Sequence, residues 1–599
     1  MGQFQNSFKY DVILSLNSSL ALREHFPLIA EKFQGQKILA ATFNHRFFNL
    51  QEKNFMKGFI EAHNLDHLMF SMRPSSKDLV SKGSEFEIGK FREVSQVLFV
   101  LQVMARYDIT KAVLDVNYLT MQNGVSKVKD VVVEIRTFLD ELTQKFSPAV
   151  NVRKQFCIFF KFEDVLSKIQ DYELITARSF ESVHSQVNSF QYDDNQISEL
   201  EKDLFWVGFD PSYKEVPQNK EYPQTKWTDL ISQSEFGRGL YEKKLKYCAR
   251  CCHPETMEGM SFDGAGICVP CRSSEMKMHM NWEKRRLSFD AMINSFRSDN
   301  YYDCMLPMSG GKDSAYQAYI LTKVLEVTPL AVTHGQNWYT LAGRYNLENC
   351  LQKFDLDHII FHMNRSVINK MARKSIDAIG DACWHCHIGA GSFTVQSALA
   401  WDVSLMIWGE SIAENDGRGS YDSQSEVSLL YNLDVSAKVK AEDMADEKTS
   451  QADLSAWIYP PTEVLSKSKV KYIHLGDYFF WDEERQVEFV KRNFEWMDAP
   501  VENTYKGYKS VECVMAGVHD YSNFIKRGVG RATMHAAEDI RRGILTREEG
   551  VELAKQYDTQ RPHALDFYLK LTGLTENEFE KACVDARSKS ENAERLNKV

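Results

Sequence analysis

One glycine-containing hexapeptide limits the possible folds of this chain more than any other segment. It reads Ser309-Gly310-Gly311-Lys312-Asp313-Ser314 and lies between an apolar run at 302–308 and a helix-like run at 315–321. A strand that turns through two glycines into a helix directs several backbone N–H groups and a positive helix end at one point. Glycines also let the main chain approach an anion closely. The sequence therefore predicts a phosphate-binding turn between a strand and a helix.

The side chains of this turn indicate which phosphate chemistry it serves. Lys312 supplies a cation, and Asp313 could hold Mg²⁺. The Gly-x-x-x-x-Gly-Lys-Ser/Thr spacing of the Walker loop is absent. The hexapeptide instead resembles the PP-loop of the ATP pyrophosphatases, which cleave ATP to AMP and pyrophosphate and so adenylate an oxygen. The alternative is an ordinary serine- and glycine-containing turn on the surface.

Length and composition limit the classes of protein to consider. A chain of 599 residues suggests about three or four domains. The hydrophobic content of 43% is typical of a folded globular protein, and the net charge of −11 argues against a large nucleic-acid surface. No segment approaches about 18 consecutive apolar residues, and the N-terminus lacks the pattern of a signal peptide. We therefore expect a cytoplasmic protein without a membrane segment.

The cysteines indicate a structural metal site. Two Cys-x-x-Cys pairs separated by a glycine-rich stretch supply the four candidate ligands Cys248, Cys251, Cys268 and Cys271. This spacing is typical of a tetrahedral Zn²⁺ site with four thiolates, which leaves no coordination position for a water molecule. We therefore expect a zinc ribbon, with Cys252 as a neighbouring cysteine that could confuse the ligand assignment. Four unrelated buried thiols are the alternative.

A second cysteine cluster, Cys383-Trp384-His385-Cys386-His387, is less specific. Its two cysteines could bind a further metal, carry sulfur or redox equivalents, or lie near the active site without a chemical role. No second Cys-x-x-Cys pair lies nearby to complete a metal site, so these alternatives stay open.

The residues after the glycine turn alternate as those of a doubly wound, parallel-sheet α/β domain do. Runs typical of strands occur at 330–333, 358–361 and 404–410. Ligands of open α/β sheets bind beyond the carboxyl ends of the strands. We therefore expect Thr333, Gly409 and Glu410 to line one crevice with the glycine turn, where they would bind the nucleotide.

The N-terminal part repeats this pattern in degenerate form. The segments that match are 10–16 with 302–308, 65–70 with 356–361, and 105–108 with 399–402. At the position of the glycine turn, however, the first copy reads Asn17-Ser18-Ser19-Leu20-Ala21. Because it lacks both glycines, the lysine and the aspartate, we expect no ATP turnover in this copy. Two α/β domains that match by chance are the alternative.

These patterns divide the chain into five segments. They are a degenerate PP-loop-like α/β domain at 1–187, a linker or arm at 188–240, a zinc ribbon at 246–275, a PP-loop (HUP-like) domain at 280–460 and a mostly helical substrate- or partner-binding region at 461–599. The last region is locally basic, which suits an anionic ligand such as a sugar diphosphate or a carboxylate. Its residues His519, Asp520 and Arg531 are candidates for the vicinity of the active site, with a solvated basic face as the alternative.

From about Lys246 to the end, the order of motifs resembles the N-acetyl sugar amidotransferases of bacterial surface-polysaccharide and nonulosonic-acid biosynthesis. The motifs are the cysteine ribbon, Asn281-Trp282-Glu283-Lys284-Arg285, the glycine turn, Ile407-Trp408-Gly409-Glu410, Leu475-Gly476-Asp477-Tyr478-Phe479-Phe480-Trp481, Met515-Ala516-Gly517-Val518-His519-Asp520-Tyr521, Arg531-Ala532-Thr533 and Arg561-Pro562. The first 240 residues depart from the family pattern.

The resemblance implies an ATP-dependent amidotransferase that turns an acetamido group into an acetamidino group through an adenylylated intermediate. Ser309, Lys312 and Asp313 would be catalytic, and the whole turn (Ser309, Gly310, Gly311, Lys312, Asp313, Ser314) would bind ATP with Mg²⁺ beside a structural Zn²⁺. A separate glutaminase subunit, with or without a cyclase-like channel subunit, would supply ammonia, and the chain could form a homo-oligomer. The sugar, its carrier and the role of the N-terminal copy cannot be deduced from the sequence.

Two other functions fit parts of the pattern. A tRNA-thiolating PP-loop enzyme would use the same turn and deliver sulfur through Cys383 and Cys386. A non-catalytic nucleotide-binding scaffold would need only the two α/β copies. The acidic net charge disfavours the first, and the intact glycine turn disfavours the second.

Overall fold

The computed structural model describes most of the chain outside its N-terminal third. The described residues are 8–17, 20–46, 48, 50–76, 85–116, 125–129, 131, 133, 135–137, 168–176, 245–257, 259–297, 301–335, 338–415, 421, 428–589 and 593–596. The predicted linker at 188–240 lies outside these residues.

The strands of the described residues join into one sheet. Their bounds are β1 Val12–Ser15, β2 Ile38–Asn44, β3 Asp66–Ser71, β4 Lys111–Leu114, β5 Val125–Lys127, β6 Glu173–Thr176, β7 Cys304–Pro307, β8 Pro329–Gly335, β9 Asp357–His362, β10 Leu405–Trp408 and β11 Lys471–His474.

Helices cover both copies and form most of the C-terminal part. The α-helices are α1 Leu20–Lys32, α2 Leu50–Ala62, α3 Glu85–Tyr107, α4 Val269–Lys277, α5 Trp282–Phe296, α6 Lys312–Tyr319, α7 Leu341–Lys353, α8 Arg365–Ile379, α9 Trp384–Ala400, α10 Ile412–Asn415, α11 Tyr431–Val435, α12 Thr462–Lys467, α13 Glu483–Phe494, α14 Ala516–Arg527, α15 Arg531–Arg541, α16 Arg547–Asp558, α17 Ala564–Thr572, α18 Glu576–Asp585 and α19 Ala593–Leu596. A π-helix, Ile320–Val324, continues α6, and 3₁₀ turns span Ala441–Met444, Ser455–Trp457, Leu475–Asp477 and Ala586–Lys589. None of the described helices is both long enough and apolar enough to cross a membrane.

The strand order reveals two halves of the same topology. The sheet runs β11-β10-β7-β8-β9-β3-β2-β1-β4-β6-β5. Except for β5, which pairs antiparallel with β6, the strands within each half pair in parallel, and the first strand of each half lies between its second and fourth, as in a doubly wound fold. The predicted α/β class with a mostly parallel sheet is therefore confirmed, and the N-terminal copy contains such a half-sheet.

The two halves meet through their third strands, which pair antiparallel. In this pairing Met69 lies opposite Ile360, His67 opposite His362, and Ser71 opposite His358. In the repeat, Met69 is equivalent to Ile360, His67 to His358, and Ser71 to His362. Because equivalent residues face one another, a pseudo-twofold axis passes between Met69 and Ile360. The sequence repeat predicts two similar units but gives no sign that they share one sheet.

Equivalent polar side chains make equivalent hydrogen bonds in both halves. Thr42 Oγ1 donates to the carbonyl of Leu16 at 3.0 Å and lies 2.9 Å from His67 Nε2. In the second half, Thr333 Oγ1 donates to the carbonyl of Met308 at 2.6 Å and lies 2.7 Å from His358 Nε2. Chance similarity between two α/β domains does not account for buried contacts that repeat in this way.

The second half extends beyond its predicted boundary. Its last strand, β11, pairs in parallel with β10, with Leu405 opposite Lys471 and Trp408 opposite His474. This strand lies within 461–599, so the sheet continues past the predicted boundary at residue 460. The strand is only four residues long and follows a charged stretch, so its pattern is weak in the sequence.

A buried carboxylate braces the joint between the halves. Asp357, at the start of β9, is fully buried and accepts hydrogen bonds from Arg73 Nη2 at 2.7 Å, from the backbone N–H of Arg73 at 2.7 Å and from Tyr302 Oη at 3.2 Å. Its equivalent in the first half, Asp66, accepts hydrogen bonds from Tyr10 Oη and from the backbone N–H of Asn364, both at 2.7 Å. Each aspartate thus bonds to both halves.

Asp357→Asn is expected to destabilise the protein by roughly 3–5 kcal/mol, because removal of one member of a buried ion pair leaves Arg73 without its counter-charge. Asp355→Asn is the matched control, since Asp355 binds only Ser75 at the exposed rim of the joint. The control should cost less than about 1 kcal/mol. Urea unfolding followed by tryptophan fluorescence measures both, and equal losses would contradict the assigned role of Asp357.

Candidate functional site

The glycine turn leads from β7 into α6. Gly311 is the N-terminal cap of that helix, so the first N–H groups of α6 have no intrahelical acceptor. Gly310 has a φ of +85°, and a Cβ atom built on it would lie 2.7 Å from the backbone nitrogen of Leu347 and 2.8 Å from the carbonyl oxygen of Gly343. Only glycine fits this position, because α7 packs directly against the turn.

Hydrogen bonds fix the shape of the turn. The carbonyl of Gly310 accepts from Trp496 Nε1 at 3.0 Å. Gly311 N–H is bonded to Ser309 Oγ at 3.2 Å, and Ser314 Oγ donates to the carbonyl of Gly311 at 2.9 Å. The turn is therefore held open by its own side chains and by a tryptophan from the segment after α13.

Lys312 and Asp313 form a buried charge pair at the start of α6. Lys312 Nζ lies 2.5 Å from Asp313 Oδ2 and 3.5 Å from Glu483 Oε2. Burial alone would lower the pKa of Lys312, but these two carboxylates raise it above its usual value, so the lysine stays charged. Burial raises the pKa of Asp313, which Lys312 opposes.

The turn opens into a cavity of about 270 Å³ with polar walls. One wall contains Ser309, Gly311, Lys312, Asp313, Ser314, Glu410 and Glu483. The opposite wall comes from the C-terminal part and contains Tyr508, Lys509, Ser510, Glu512, Arg531, Met534, His535, Glu538 and Arg541. A helix N-terminus and the side chains of Lys312, Lys509, Arg531 and Arg541 are groups that can bind an anion, and they share the cavity with five carboxylates.

Carboxylates hold the cations of the opposite wall in place. Lys509 Nζ lies 2.5 Å from Glu483 Oε2 and 3.0 Å from Glu538 Oε2. Arg531 Nε lies 2.9 Å from Asp520 Oδ2. Such pairs fix the positions of the cationic groups before a ligand arrives, which reduces the cost of ordering them on binding.

Most of the predicted nucleotide-binding residues meet at this cavity. Besides the turn itself, Glu410 lines it, with a φ of +64° immediately after β10. Gly409 lies directly behind the turn: a Cβ atom there would lie 3.0 Å from the carbonyl oxygen of Asp313. The absence of a side chain at Gly409 therefore allows β10 to approach α6.

The structure does not bring Thr333 to the cavity. Its side chain is buried, and its hydroxyl is occupied by Met308 and His358. A position at the carboxyl end of a strand can face the interior as well as the crevice. The polar side chain of Thr333 serves the strand pairing of β7 and β8, not the crevice.

Asp313 is suited to hold Mg²⁺, as the sequence suggests. It lines the cavity, and its Oδ1 atom has no hydrogen-bond partner among the described residues. Carboxylate oxygens are the ligands that Mg²⁺ prefers, usually one or two of them together with phosphate oxygens.

Sequence reasoning misses the carboxylates that complete the site. Glu483, Glu512 and Glu538 are far from the glycine turn in the chain and belong to no local motif. The one available signal is the amphipathic pattern around Glu538, which faces the cavity from α15 together with Arg531 and His535.

The four predicted zinc ligands lie together and fit the metal. Their sulfur atoms all lie within 4.8 Å of one another, and Cys251 Sγ lies 3.7 Å from Cys268 Sγ. Tetrahedral coordination at about 2.3 Å from zinc requires sulfur atoms about 3.8 Å apart. Cys252 is separate, since its Sγ contacts the carbonyl of Thr533 at 3.5 Å.

The cysteine ribbon supports one wall of the cavity. It packs on Val529, Ala536 and Ala537 around α15. Arg547 at the start of α16 donates to the carbonyls of Cys251 at 3.1 Å and Cys248 at 3.4 Å. Because α15 also carries residues that line the cavity, this helix connects the metal site to the candidate active site.

The second cysteine cluster is connected to Arg531 through Asp381 and the neighbouring residues His519 and Asp520. Asp381 Oδ1 accepts from the backbone N–H of Cys383 at 2.7 Å and lies 3.0 Å from His519 Nδ1. The adjacent Asp520 binds Arg531, which lines the cavity. The structure therefore brings together Cys383, His519, Asp520 and Arg531, as the sequence suggests, although only Arg531 lines the cavity.

The thiols of this cluster have raised pKa values. Cys383 is buried and Cys386 is half-buried, and loss of solvent raises the pKa of both thiols well above the usual range. Burial would also raise the pKa of Asp381, but His519 and His387 hold it well below its usual range. Among the described residues, these side chains do not gather three metal-binding atoms at the distances found in the zinc ribbon.

Among the described residues, none from the N-terminal half lines this cavity. Because β3 and β9 are antiparallel, the carboxyl ends of the N-terminal strands lie at the opposite edge of the sheet. Asn17, which follows β1, donates to the carbonyl of Asp115 at 3.3 Å. Ser18 and Ser19 of the degenerate turn lie outside the described residues.

One comparison with known proteins matches the part of the chain that forms one wall of the cavity. Residues 502–595 match the family model described as LPS biosynthesis protein WbpG-like, C-terminal domain. All residues of the opposite wall fall within this range. The C-terminal segment is therefore similar to a domain of lipopolysaccharide biosynthesis proteins.

A second resemblance covers a shorter stretch. The uncharacterized protein MJ1599 of Methanocaldococcus jannaschii is 26% identical to the chain over 117 residues. This stretch is 19% of the chain and 42% of that protein, so the chain spans less than half of the length of this relative.

Cys251→Ser is expected to abolish zinc binding and to lower the thermal midpoint, because three thiolates cannot complete the site and α15 loses its support. Cys252→Ser, one residue away, should keep full zinc and most of the stability, since Cys252 is not a ligand. Metal content by plasma mass spectrometry, read with circular dichroism, compares the two. Full zinc in the Cys251→Ser protein would contradict the assignment.

Proposed function

We propose that this protein is an ATP-dependent amidotransferase in bacterial surface-polysaccharide biosynthesis. It would convert an acetamido group of a sugar, carried by a nucleotide or as a nonulosonic-acid precursor, to an acetamidino group. AMP and pyrophosphate would be released.

One observation supports this proposal above the others: a single cavity lies between the glycine turn and the segment similar to WbpG-like proteins. The turn supplies groups suited to a polyphosphate, and the other wall belongs to a domain described as one of lipopolysaccharide biosynthesis. A site of this kind can hold ATP and a sugar against each other.

The first step would activate the acetamido oxygen. An amide oxygen is a poor leaving group, so ammonia does not displace it unaided. The oxygen would attack the α-phosphorus of ATP, and the bond to pyrophosphate would break. The N–H groups of Lys312, Asp313 and Ser314 and the Lys312 ammonium would stabilise the negative charge that develops on pyrophosphate. Asp313 would hold Mg²⁺, which when bound neutralises charge on the leaving phosphates.

The second step would replace AMP by ammonia. Ammonia would add to the activated carbon, and AMP would leave with the former acetamido oxygen. A separate glutaminase subunit, alone or with a channel subunit, would deliver the ammonia, and free ammonium would substitute for it in vitro. Exclusion of water by the bound substrates would protect the adenylylated intermediate from hydrolysis.

Thiol chemistry at this cavity has less support. A thiolating enzyme needs a nucleophilic thiolate beside the activated atom. Cys383 and Cys386 lie behind Arg531 and not on the cavity wall, and burial raises the pKa of both thiols.

Lys312→Ala is expected to lower AMP formation by about 10²-fold or more, because the developing charge on pyrophosphate loses its cation. Lys323→Ala is the matched control, since Lys323 is exposed on the π-helix that continues α6. The assay combines ATP, Mg²⁺ and ammonium with a panel of nucleotide-linked acetamido sugars. Mass spectrometry then detects AMP and a sugar in which NH replaces O.

An unchanged rate in the Lys312→Ala protein would contradict the role of the turn. Labelled sulfur in tRNA would instead favour thiolation, and AMP formation with no acceptor in the panel would leave only nucleotide binding or hydrolysis. Circular dichroism verifies that the variant remains folded.

A further inference from the structure

Five carboxylates line the cavity, and three of them are paired with lysines. Asp313 pairs with Lys312, Glu483 with Lys312 and Lys509, and Glu538 with Lys509. A fourth, Glu410, is partly exposed to solvent, and its nearest base is the imidazole of His474 at 3.8 Å, whose pKa burial lowers to about 3.

Glu512 is different. Within the described ranges it makes no ion pair, and its Oε2 atom is buried without a hydrogen-bond partner. A buried carboxylate oxygen without a partner is costly and therefore uncommon, and such groups concentrate at functional sites. Glu512 is thus a buried cavity carboxylate with no ion-pair partner in direct contact among the described residues.

The backbone holds Glu512 rigidly against α7. The backbone N–H of Thr340 donates to the carbonyl of Glu512 at 3.1 Å, and Cys513 forms a β-bridge with Tyr339. A Cβ atom on Gly343 would lie only 2.3 Å from the Cα atom of Glu512. Close packing on both sides therefore fixes the position of this residue.

The side chain of Glu512 reaches the phosphate-binding turn. A Cβ atom on Gly311 would lie 3.4 Å from Glu512 Oε1 and 3.5 Å from Oε2. The carboxylate therefore lies beside the second glycine, in the space that separates the turn from the C-terminal wall. This is the space in which ATP and the sugar would meet.

The electrostatic environment suits a proton acceptor. Burial raises the pKa of the Glu512 carboxyl, while Lys312 and Arg531 oppose this shift and Asp313 adds to it. A carboxylate with a raised pKa is a stronger base than one in water, and catalytic bases are tuned in this way.

We propose that Glu512 is the general base that removes a proton from ammonia as it attacks the adenylylated acetamido carbon. This inference rests on the proposed function. It adds a catalytic residue that lies outside the glycine turn and belongs to no local sequence motif.

The proton transfer completes the second step. Ammonia donates its electron pair to the carbon, and a C–N bond forms to give a tetrahedral adduct with a positive nitrogen. One proton moves from this nitrogen to a carboxylate oxygen of Glu512. The C–O bond to AMP then breaks, AMP leaves with its electron pair, and the product is an amidinium. Without the proton transfer, the positive nitrogen has no electron pair with which to form the C–N double bond that expels AMP, so the adduct reverts by loss of ammonia.

The test separates the two steps. Exchange of labelled pyrophosphate into ATP, with the best acetamido sugar of the panel and no ammonia, measures adenylation alone. Amidine formation with ammonium measures both steps. Glu512→Gln should exchange within about twofold of wild type but form amidine about 10²–10⁴-fold more slowly, the usual contribution of a general base.

Two further variants distinguish a base from a structural residue. Glu483→Gln should lower both rates, because Glu483 holds Lys312 and Lys509. Glu512→Asp should recover part of the amination, since it restores a carboxylate. Hydroxylamine, whose adduct loses a proton far more readily than that of ammonia, should rescue Glu512→Gln and should not rescue Glu483→Gln.

Two results would overturn the inference. If Glu512→Gln forms amidine at the wild-type rate, the residue is not the base. If it loses exchange together with amination, Glu512 acts in the first step, as a ligand of Mg²⁺ or of the nucleotide would. A wild-type protein that shows neither exchange nor amidine would instead refute the proposed function itself.

Discussion

The candidate site depends on the absence of two side chains. At Gly310 and Gly343, the turn after β7, helix α7 and the segment around Glu512 approach so closely that a single Cβ atom would collide with backbone. Interiors are packed too densely to absorb such a collision without displacement of an element. Because these backbones touch, a C-terminal segment some 200 residues away in the chain becomes the second wall of the cavity beside the glycine turn. All the proposed chemistry takes place in the space between these two walls.

The duplicated sheet places the two halves back to back. The first four strands of each half have the same order, but the third strands pair antiparallel, so the carboxyl ends of the strands lie at opposite edges. The N-terminal half stabilises the sheet through the buried strand β3 and through Arg73, which pairs with Asp357 of the second half. Its described residues do not line the cavity.

The sequence predicts those parts of the site that are contiguous in the chain. The glycine turn and the cysteine ribbon are both local, because a few neighbouring residues determine their geometry. The α/β class and the repeat follow from apolar runs of regular spacing. The sequence does not predict that Glu483 is a partner of Lys312, because Glu483 belongs to helix α13, which is distant in the chain. Only the packing of α7 and α13 onto the turn brings it there.

The errors have equally physical causes. Thr333 lies at the carboxyl end of a strand, as a ligand-binding residue should, but its hydroxyl turns inward to Met308 and His358. The strand β11 is too short to be recognised beyond the expected domain boundary. Pairing of β3 with β9 depends on the fit of two buried faces, and a sequence pattern of apolar residues does not specify which edge meets which.

The central claim is that the turn from Ser309 to Ser314 binds the triphosphate of ATP, with the acceptor sugar on the wall formed by residues 508–541. A crystal structure with Mg²⁺ and α,β-methylene-ATP, an analogue that cannot release pyrophosphate, tests it most directly. We expect the β- and γ-phosphates against the N–H groups at the start of α6, with Lys312 and Asp313 turned toward them. Triphosphate density at any other place, with the cavity occupied only by its own ion pairs, would contradict the account.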